Sequence, residues 1–326
     1  MRARRAAAAF LSLLVGTLVA ATGCAQPQLD ARLQLWKHGR LTVGTGPTNG
    51  VFNQLGSGYA DVVNRHLTGF EAVAMPTNGA SENLQRLVRG DIDVGFTFAD
   101  VAGDAVAGKG SFAGSPVEVR ALARLFTAYT HVVVRSDAGI RSLADLEGKR
   151  VATGPAGSGT EIMALRVLTA AGLDPDKDVR RVTASLSQMT SAFAARQLDA
   201  FFYTAGLPVV GITALFAKLP GQVAFLRADA VLPALEKAYP GVYTAASIPQ
   251  SAYGLAADVP TVAVPALLVV SPSMPVEVAY ELTRLLFEHQ DELAAVHPEG
   301  KNIDRGVAAK TDPVLLHPGA RGYYGV

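Results

Sequence analysis

One order of local signals occurs twice in this sequence and restricts its fold more than any other feature: strand, glycine-rich loop, helix, strand, helix, strand. In the first pass, Leu41-Thr42-Val43 reads as a strand that breaks at the Gly/Thr/Pro/Asn loop 44–50. A helical stretch follows over residues 52–67, then a strand over 71–75 and a loop at 76–79. Leu84, Leu87 and Val88 keep i, i+3, i+4 spacing, and residues 92–98 form a strand interrupted by Gly95. In the second pass, Val151-Ala152-Thr153 is the strand and 154–159 the glycine-rich loop. Residues 160–171 are the helix, ended by Gly172 as a C′ residue. A strand over 179–183 leads to Ser185 and Gln188, whose spacing is that of a capping box. The helix they open runs to about 196, and a strand covers 199–203. Even the last turns echo each other, Arg89-Gly90-Asp91-Ile92-Asp93 against Arg196-Gln197-Leu198-Asp199.

This alternation predicts an α/β architecture of two lobes, with a ligand cleft outside the carboxyl ends of the strands. His131-Val132-Val133-Val134 and residues 264–270 are apolar strand candidates flanking the second half, and they read as strands crossing between the lobes. Lobe I is then discontinuous, 40–135 plus 263–326, and lobe II covers 136–262. With 49% hydrophobic and 17% charged residues, the 326-residue chain has enough apolar side chains for cores of this size. A formal net charge of +1 and the lack of basic runs beyond the first residues argue against nucleic acid as a partner.

The one cysteine, Cys24, excludes a disulfide framework within the chain. It follows a secretory pattern: Arg2, Arg4 and Arg5, an uncharged apolar run over 6–20, then Ala21-Thr22-Gly23. That run is short for a membrane span, which needs about 20 residues. The small residues resemble a bacterial lipobox, so 1–23 are expected to be a signal peptide and Cys24 a lipidated anchor on a linker, 24–39. A plain signal with an incidental cysteine is the alternative.

Motifs for chemistry fail at identifiable positions. Asn49 and Ile162 stand where glycine would complete G-x-G-x-x-G, and Ser158 lies in Ala-Gly-Ser-Gly instead of G-x-S-x-G. The six histidines have no metal-ligand pairing at i, i+3 or i, i+4. No catalytic set, metal site or cofactor is expected. What is present is one kind of loop three times, at 45–50, 77–81 and 157–160, with small hydroxyl or amide residues and glycine ahead of a helix. Such a loop offers backbone N–H groups at a helix's positive end to an anion; it can equally be a capped helix start.

At these residues the sequence resembles the TAXI-type solute-binding receptors of TRAP (tripartite ATP-independent periplasmic) transporters. The resemblance spans residues 41–324. It is carried by Val43-Gly44-Thr45-Gly46, Asn78-Gly79-Ala80-Ser81-Glu82-Asn83-Leu84, the stretch 154–161 and the stretch 199–208, with Ile248-Pro249, Tyr253, His317-Pro318-Gly319-Ala320 and Tyr323-Tyr324 behind them. It implies a two-lobed periplasmic-binding-protein-like (type II) fold with two crossing hinge strands. The implied role is capture of a small organic acid or amino acid, glutamate-like or dicarboxylic, for a TRAP-type membrane permease. Under that resemblance Gly157, Ser158, Gly159 and Thr160 hold the ligand's carboxylate. Thr45, Gly46, Thr48 and Asn49 line the opposite wall, with Asn78 and Ser81 beside them. Phe98 and Tyr203 cover the apolar part or serve as core, and Gly206 and Pro208 shape the wall. Pro47 replaces a usual glycine, Asn53-Gln54 an aromatic–proline pair, and Phe98 a frequent glutamine. Two other readings are an enzyme on the same fold and an exported ligand sensor or accessory lipoprotein without transport.

Overall fold

The computed structural model describes residues 36–326. The expected signal peptide, Cys24 and the linker up to residue 35 lie outside the described residues.

In chain order the first half runs β1 (Arg40–Gly44), α1 (Val51–His66), β2 (Glu71–Met75), α2 (Ala80–Arg89), β3 (Val94–Phe98) and α3 (Ala99–Ala107). A long strand β4 (Arg120–Arg135) leads to β5 (Arg150–Ala152), α4 (Gly159–Ala170), β6 (Arg180–Val182), α5 (Leu186–Ala194) and β7 (Ala200–Ala205). There follow α6 (Val210–Lys218), β8 (Val223–Phe225), α7 (Leu232–Ala238), β9 (Thr244–Ile248), α8 (Gln250–Tyr253) and a second long strand, β10 (Val259–Val270). The chain returns through α9 (Val276–Glu288) and α10 (Gln290–Val296) to its C-terminal turns.

The strands hydrogen-bond in the order β2-β1-β3-β10-β4-β7-β5-β6, with β8 on β4 and β9 on β10. Each end of that order is the same parallel unit, β2-β1-β3 and β6-β5-β7. Each unit closes on an antiparallel long strand, β10 for the first and β4 for the second. This is the two-lobed, periplasmic-binding-protein-like α/β fold. The two long strands pair with each other from Arg120↔Val270 to Tyr129↔Ala263, and β4 passes to β7 at Tyr129.

The echo in sequence has a structural cause. Asp93, just before β3, accepts the Thr42 amide of β1 at 2.8 Å, and Asp199, just before β7, accepts the Arg150 amide of β5 at 2.9 Å. One carboxylate in each unit thus locks the start of the central parallel pair. The expected capping box also forms: Ser185 and Gln188 each bond the other's backbone N–H.

β4 is four times as long as its expected segment and begins at Arg120. Most of its residues are buried whichever face they point to, so the polar/apolar alternation that marks a strand is missing from it. Among the described residues no helix is long and apolar enough to cross a membrane.

Candidate functional site

Three helices begin at one place. α1 starts after Gly50, α2 after Gly79 and α4 after Ser158, and all three starts line a cavity of about 30 Å³ between the lobes. From lobe I the lining residues are Pro47, Gly50, Val51 and Phe52, then Asn78, Gly79, Ala80 and Phe98. From lobe II they are Pro155, Ser158, Gly159 and Thr160, then Tyr203, Thr204 and Ala205. The lobes touch here. A Cβ at Gly159 would lie 2.4 Å from Cδ2 of Phe98 and 3.0 Å from Cβ of Ala80, and one at Gly50 would lie 3.0 Å from the Tyr203 hydroxyl.

No lining side chain carries a charge, so the field in the cavity comes from backbone. In α1 the first intrahelical bond is Gln54 N–H to Gly50 C=O, and no side chain caps the helix. The Val51, Phe52 and Asn53 amides therefore lack helical acceptors. In α2 the first such bond is Asn83 to Gly79, again without a side-chain cap, which leaves Ala80, Ser81 and Glu82. In α4 Ser158 Oγ takes the Glu161 amide at 3.1 Å, which leaves Gly159 and Thr160. The positive ends of three helix dipoles meet there.

Two of the three flanking loops already satisfy one donor with their own acid. Glu82 accepts the Asn78 amide at 2.8 Å and Glu161 accepts the Gly157 amide at 2.7 Å. Burial pushes the Glu82 carboxyl up, but the Asn78 amide and Arg86 together hold it below the ordinary value, so it is charged. The hydroxyl of Thr204, 4% exposed and on the cavity wall, has no hydrogen-bond partner, and neither has that of Ser81, 1% exposed at the start of α2. Burial raises the Tyr203 phenol to about 12, so it stays a neutral hydroxyl. Phe52 packs on Phe98 with ring centroids 4.9 Å apart and gives the cavity an apolar side.

Of the residues expected at the site, the structure brings Asn78, Phe98, Ser158, Gly159, Thr160 and Tyr203 to the cavity wall. The others lie elsewhere. Thr45 is fully buried, its Oγ1 donating to Met75 C=O at 3.0 Å and accepting from Asn53 at 3.2 Å. Gly46 sits behind the wall and takes the Thr77 amide on its carbonyl. Thr48 and Asn49 face solvent, and Pro47 and Gly50 take the wall in their place. Ser81 stands behind Ala80, and Gly157 is exposed with its amide on Glu161. Gly206 and Pro208 face the C-terminal segment: a Cβ at Gly206 would lie 2.5 Å from Cγ of Glu299, and Pro208 C=O is 3.2 Å from Nε2 of His297.

Residues missed from sequence explain how the wall is held. The Asn83 amide group lies 2.6 Å from Thr45 C=O and 2.7 Å from Phe96 C=O, tying the ends of β1 and β3. His131 on β4 sits opposite Tyr203. Its Nδ1 is 3.0 Å from Tyr203 C=O and must donate, so Nε2 accepts from the Tyr253 hydroxyl at 2.9 Å. Burial lowers its pKa to about 4, which keeps it neutral.

His317 accepts the Gly319 amide and caps the last helix. Among the described residues one group of potential metal ligands assembles away from the cavity: His66, His289 and Glu292. Their chemistry is already satisfied. Glu292 Oε1 is 2.8 Å from His66 Nε2 and 3.0 Å from His289 Nδ1, and Arg65 pairs with Oε2. The two rings stack at 3.5 Å, 13° from parallel, and both nitrogens turn to that one carboxylate oxygen, so the three side chains hold one another.

Solved structures share the fold at low identity. The chain aligns with a periplasmic aliphatic sulphonate binding protein of Escherichia coli at TM-score 0.50 and 16% identity, over 88% of this chain and 82% of that one. A binding protein component of an ABC phosphonate transporter from Pseudomonas aeruginosa aligns at TM-score 0.54 and 14% identity, over 80% and 78%. A Xanthomonas citri protein bound to chloride ion aligns at TM-score 0.51 and 15% identity, over 80% and 88%. The model of the NMT1-like family matches residues 43–325, from β1 to the last helix, and the chain belongs to that family.

Proposed function

We propose that the protein is an extracytoplasmic solute-binding protein that closes its lobes on a small carboxylate and binds it without transforming it. The observation that carries this reading is the meeting of three helix N-termini, with unpaired amides, on a wall that holds the unpartnered Thr204 hydroxyl. Five lining residues, Val51, Phe52, Ala80, Gly159 and Thr160, have free N–H groups; with one hydroxyl they ask for an acceptor-rich partner, and a carboxylate brings acceptors and the negative charge that the helix dipoles favour. The cavity's volume suits a small group, roughly two waters' worth. The Phe52–Phe98 side takes a short carbon chain. No lining residue is Asp, Glu, His, Lys, Arg or Cys, which leaves no general acid, base or nucleophile of those types on the wall.

The partner in this reading is a TRAP-type permease, as the resemblance to TAXI receptors implies, and Cys24 carries a lipid that keeps the protein at the membrane. Small-molecule titration tests the ligand. Ligand at 100 times its Kd stabilises the folded state by about 2.7 kcal/mol, so a matching acid should raise the melting temperature by several degrees. The panel is acetate, glutamate, succinate and 2-oxoglutarate against acetamide and succinamide, which carry no carboxylate. A rise with the amides and none with the acids would replace the carboxylate by a neutral ligand. Cys24→Ser should move the protein from the membrane fraction to the soluble one; unchanged retention would remove the anchor from the reading.

A further inference from the structure

The lobes also meet outside the cavity, through charge. Arg166 lies seven residues along α4 from Gly159, about 10 Å at the helical rise. Its Nη1 donates to Asp100 Oδ2 at 2.8 Å and to the Tyr243 hydroxyl at 2.7 Å, and its Nη2 pairs with Asp104. Tyr243 in turn donates to Asp100 at 2.8 Å, and the guanidinium lies 3.9 Å over the Tyr239 ring. Asp100 and Asp104 stand one turn apart on α3, which leaves β3 in lobe I. Arg166, Tyr239 and Tyr243 belong to lobe II. The cluster is shut off from water: the side chains of Arg166, Asp100 and Asp104 are 9%, 1% and 9% exposed. None of these residues lines the cavity.

We propose that Arg166 is a positioning residue for closure: with Asp100 and Asp104 it forms an ionic clasp, split between the lobes, that must be joined for the cleft to shut. Opening the lobes about β4 and β10 separates α3 from α4 and returns all three charges to water. The joined clasp therefore sits near balance between pairing and desolvation, and its effect lies in what closure without it would require. A closed cleft lacking the guanidinium would bury two carboxylates one helical turn apart with no cation. The planar fork of arginine, held between two acids and an aromatic face, also admits one relative placement of the lobes. Any ligand that needs the closed cleft binds only through the fraction of molecules with the clasp joined. The clasp does not depend on which solute the cavity takes, and its test uses none.

Spin labels on Val88→Cys in lobe I and Lys218→Cys in lobe II, both exposed positions, report the distance between the lobes in the Cys24→Ser protein. The parent should show a short-distance population that matches the closed cleft. Arg166→Met should lower its ratio to the open population at least tenfold, with an unchanged circular dichroism spectrum. Arg166→Met combined with Asp100→Asn and Asp104→Asn should regain much of it, since the repelling charges are gone; Arg166→Lys should fall between. A folded Arg166→Met protein that keeps the parent's short distances overturns the clasp. So does a parent without short distances, and so does a triple variant as open as Arg166→Met, which would assign the effect to packing.

Discussion

The two places where the lobes touch use opposite chemistry. At the cavity, Gly159 of lobe II packs on Phe98 and Ala80 of lobe I, and every polar side chain there is uncharged. Along the same helix, at Arg166, both partners of the contact are charges of the protein. The first contact is left incomplete, with amides and a hydroxyl that only a third party can satisfy. The second is complete and needs nothing added. In the proposed reading this divides the labour: the neutral contact decides what is bound, and the charged one decides how the lobes are placed when they bind it.

The variant expected to break the neutral contact most thoroughly is Gly159→Val. The position has no positive φ, so lobe II should fold, but even the first added carbon would meet the Phe98 ring. Calorimetric titration with the acid found by thermal shift should show at least a hundredfold loss, and Phe98→Ala should restore part of it. Wild-type affinity in the folded variant would put the ligand elsewhere. Thr204→Val sharpens the comparison by removing an unpaired hydroxyl at constant shape. The ligand-free melting temperature should hold or rise, while the ligand loses one hydrogen bond worth about 1–1.5 kcal/mol, roughly five- to tenfold in affinity. Equal affinity would mean that the hydroxyl faces no ligand atom.

Ser158→Ala separates cap from contact, because Ser158 Oγ already accepts the Glu161 amide. Loss of the cap should lower stability by about 1 kcal/mol, seen in urea unfolding, with less than a threefold change in affinity. A larger affinity loss at unchanged stability would give its hydroxyl to the ligand instead. The smallest effect belongs to the clasp. Burial, with Asp100 nearby, raises the Asp104 carboxyl above its ordinary value against the opposing pull of Arg166 and Lys109. A raised acid holds its proton longer in the closed form than in the open one. Closure should therefore strengthen slightly as pH falls through that raised value toward about 4, and weaken again as pH rises. The distance distribution should show this in the parent and lose it in Asp104→Asn, where Tyr243 and Asp100 still face Arg166.

What was legible in the sequence was local. The two strand–loop–helix units, the capping box at Ser185 and the C′ glycine at 172 each depend on neighbours within a few residues. The loop 154–160 was legible as a strand-to-helix turn, because its glycines and the capping Ser158 act on immediate neighbours. Which way a loop residue faces was not: Thr48 and Asn49 carry the polar groups, yet Asn49 adopts φ 66° and both turn to solvent, while Pro47 and Gly50 form the wall. The clasp was illegible for another reason. Arg166 and Asp100 are 66 residues apart on different lobes, and a charge on a helix reads as a solvated face until the opposite helix is known. His66 and His289 escaped the same way, because spacing rules search one helix at a time. β4 escaped because burial on both faces erased its alternation.

The contact of Gly159 with Phe98 also has a kinetic consequence. In the proposed reading the solute sits where lobe II meets lobe I, so parting the lobes takes one whole wall away from it at once. Motion of β4 against β10 then opens a release route that solutes of different affinity share. A partner that speeds their discharge would act on the hinge, which no solute touches.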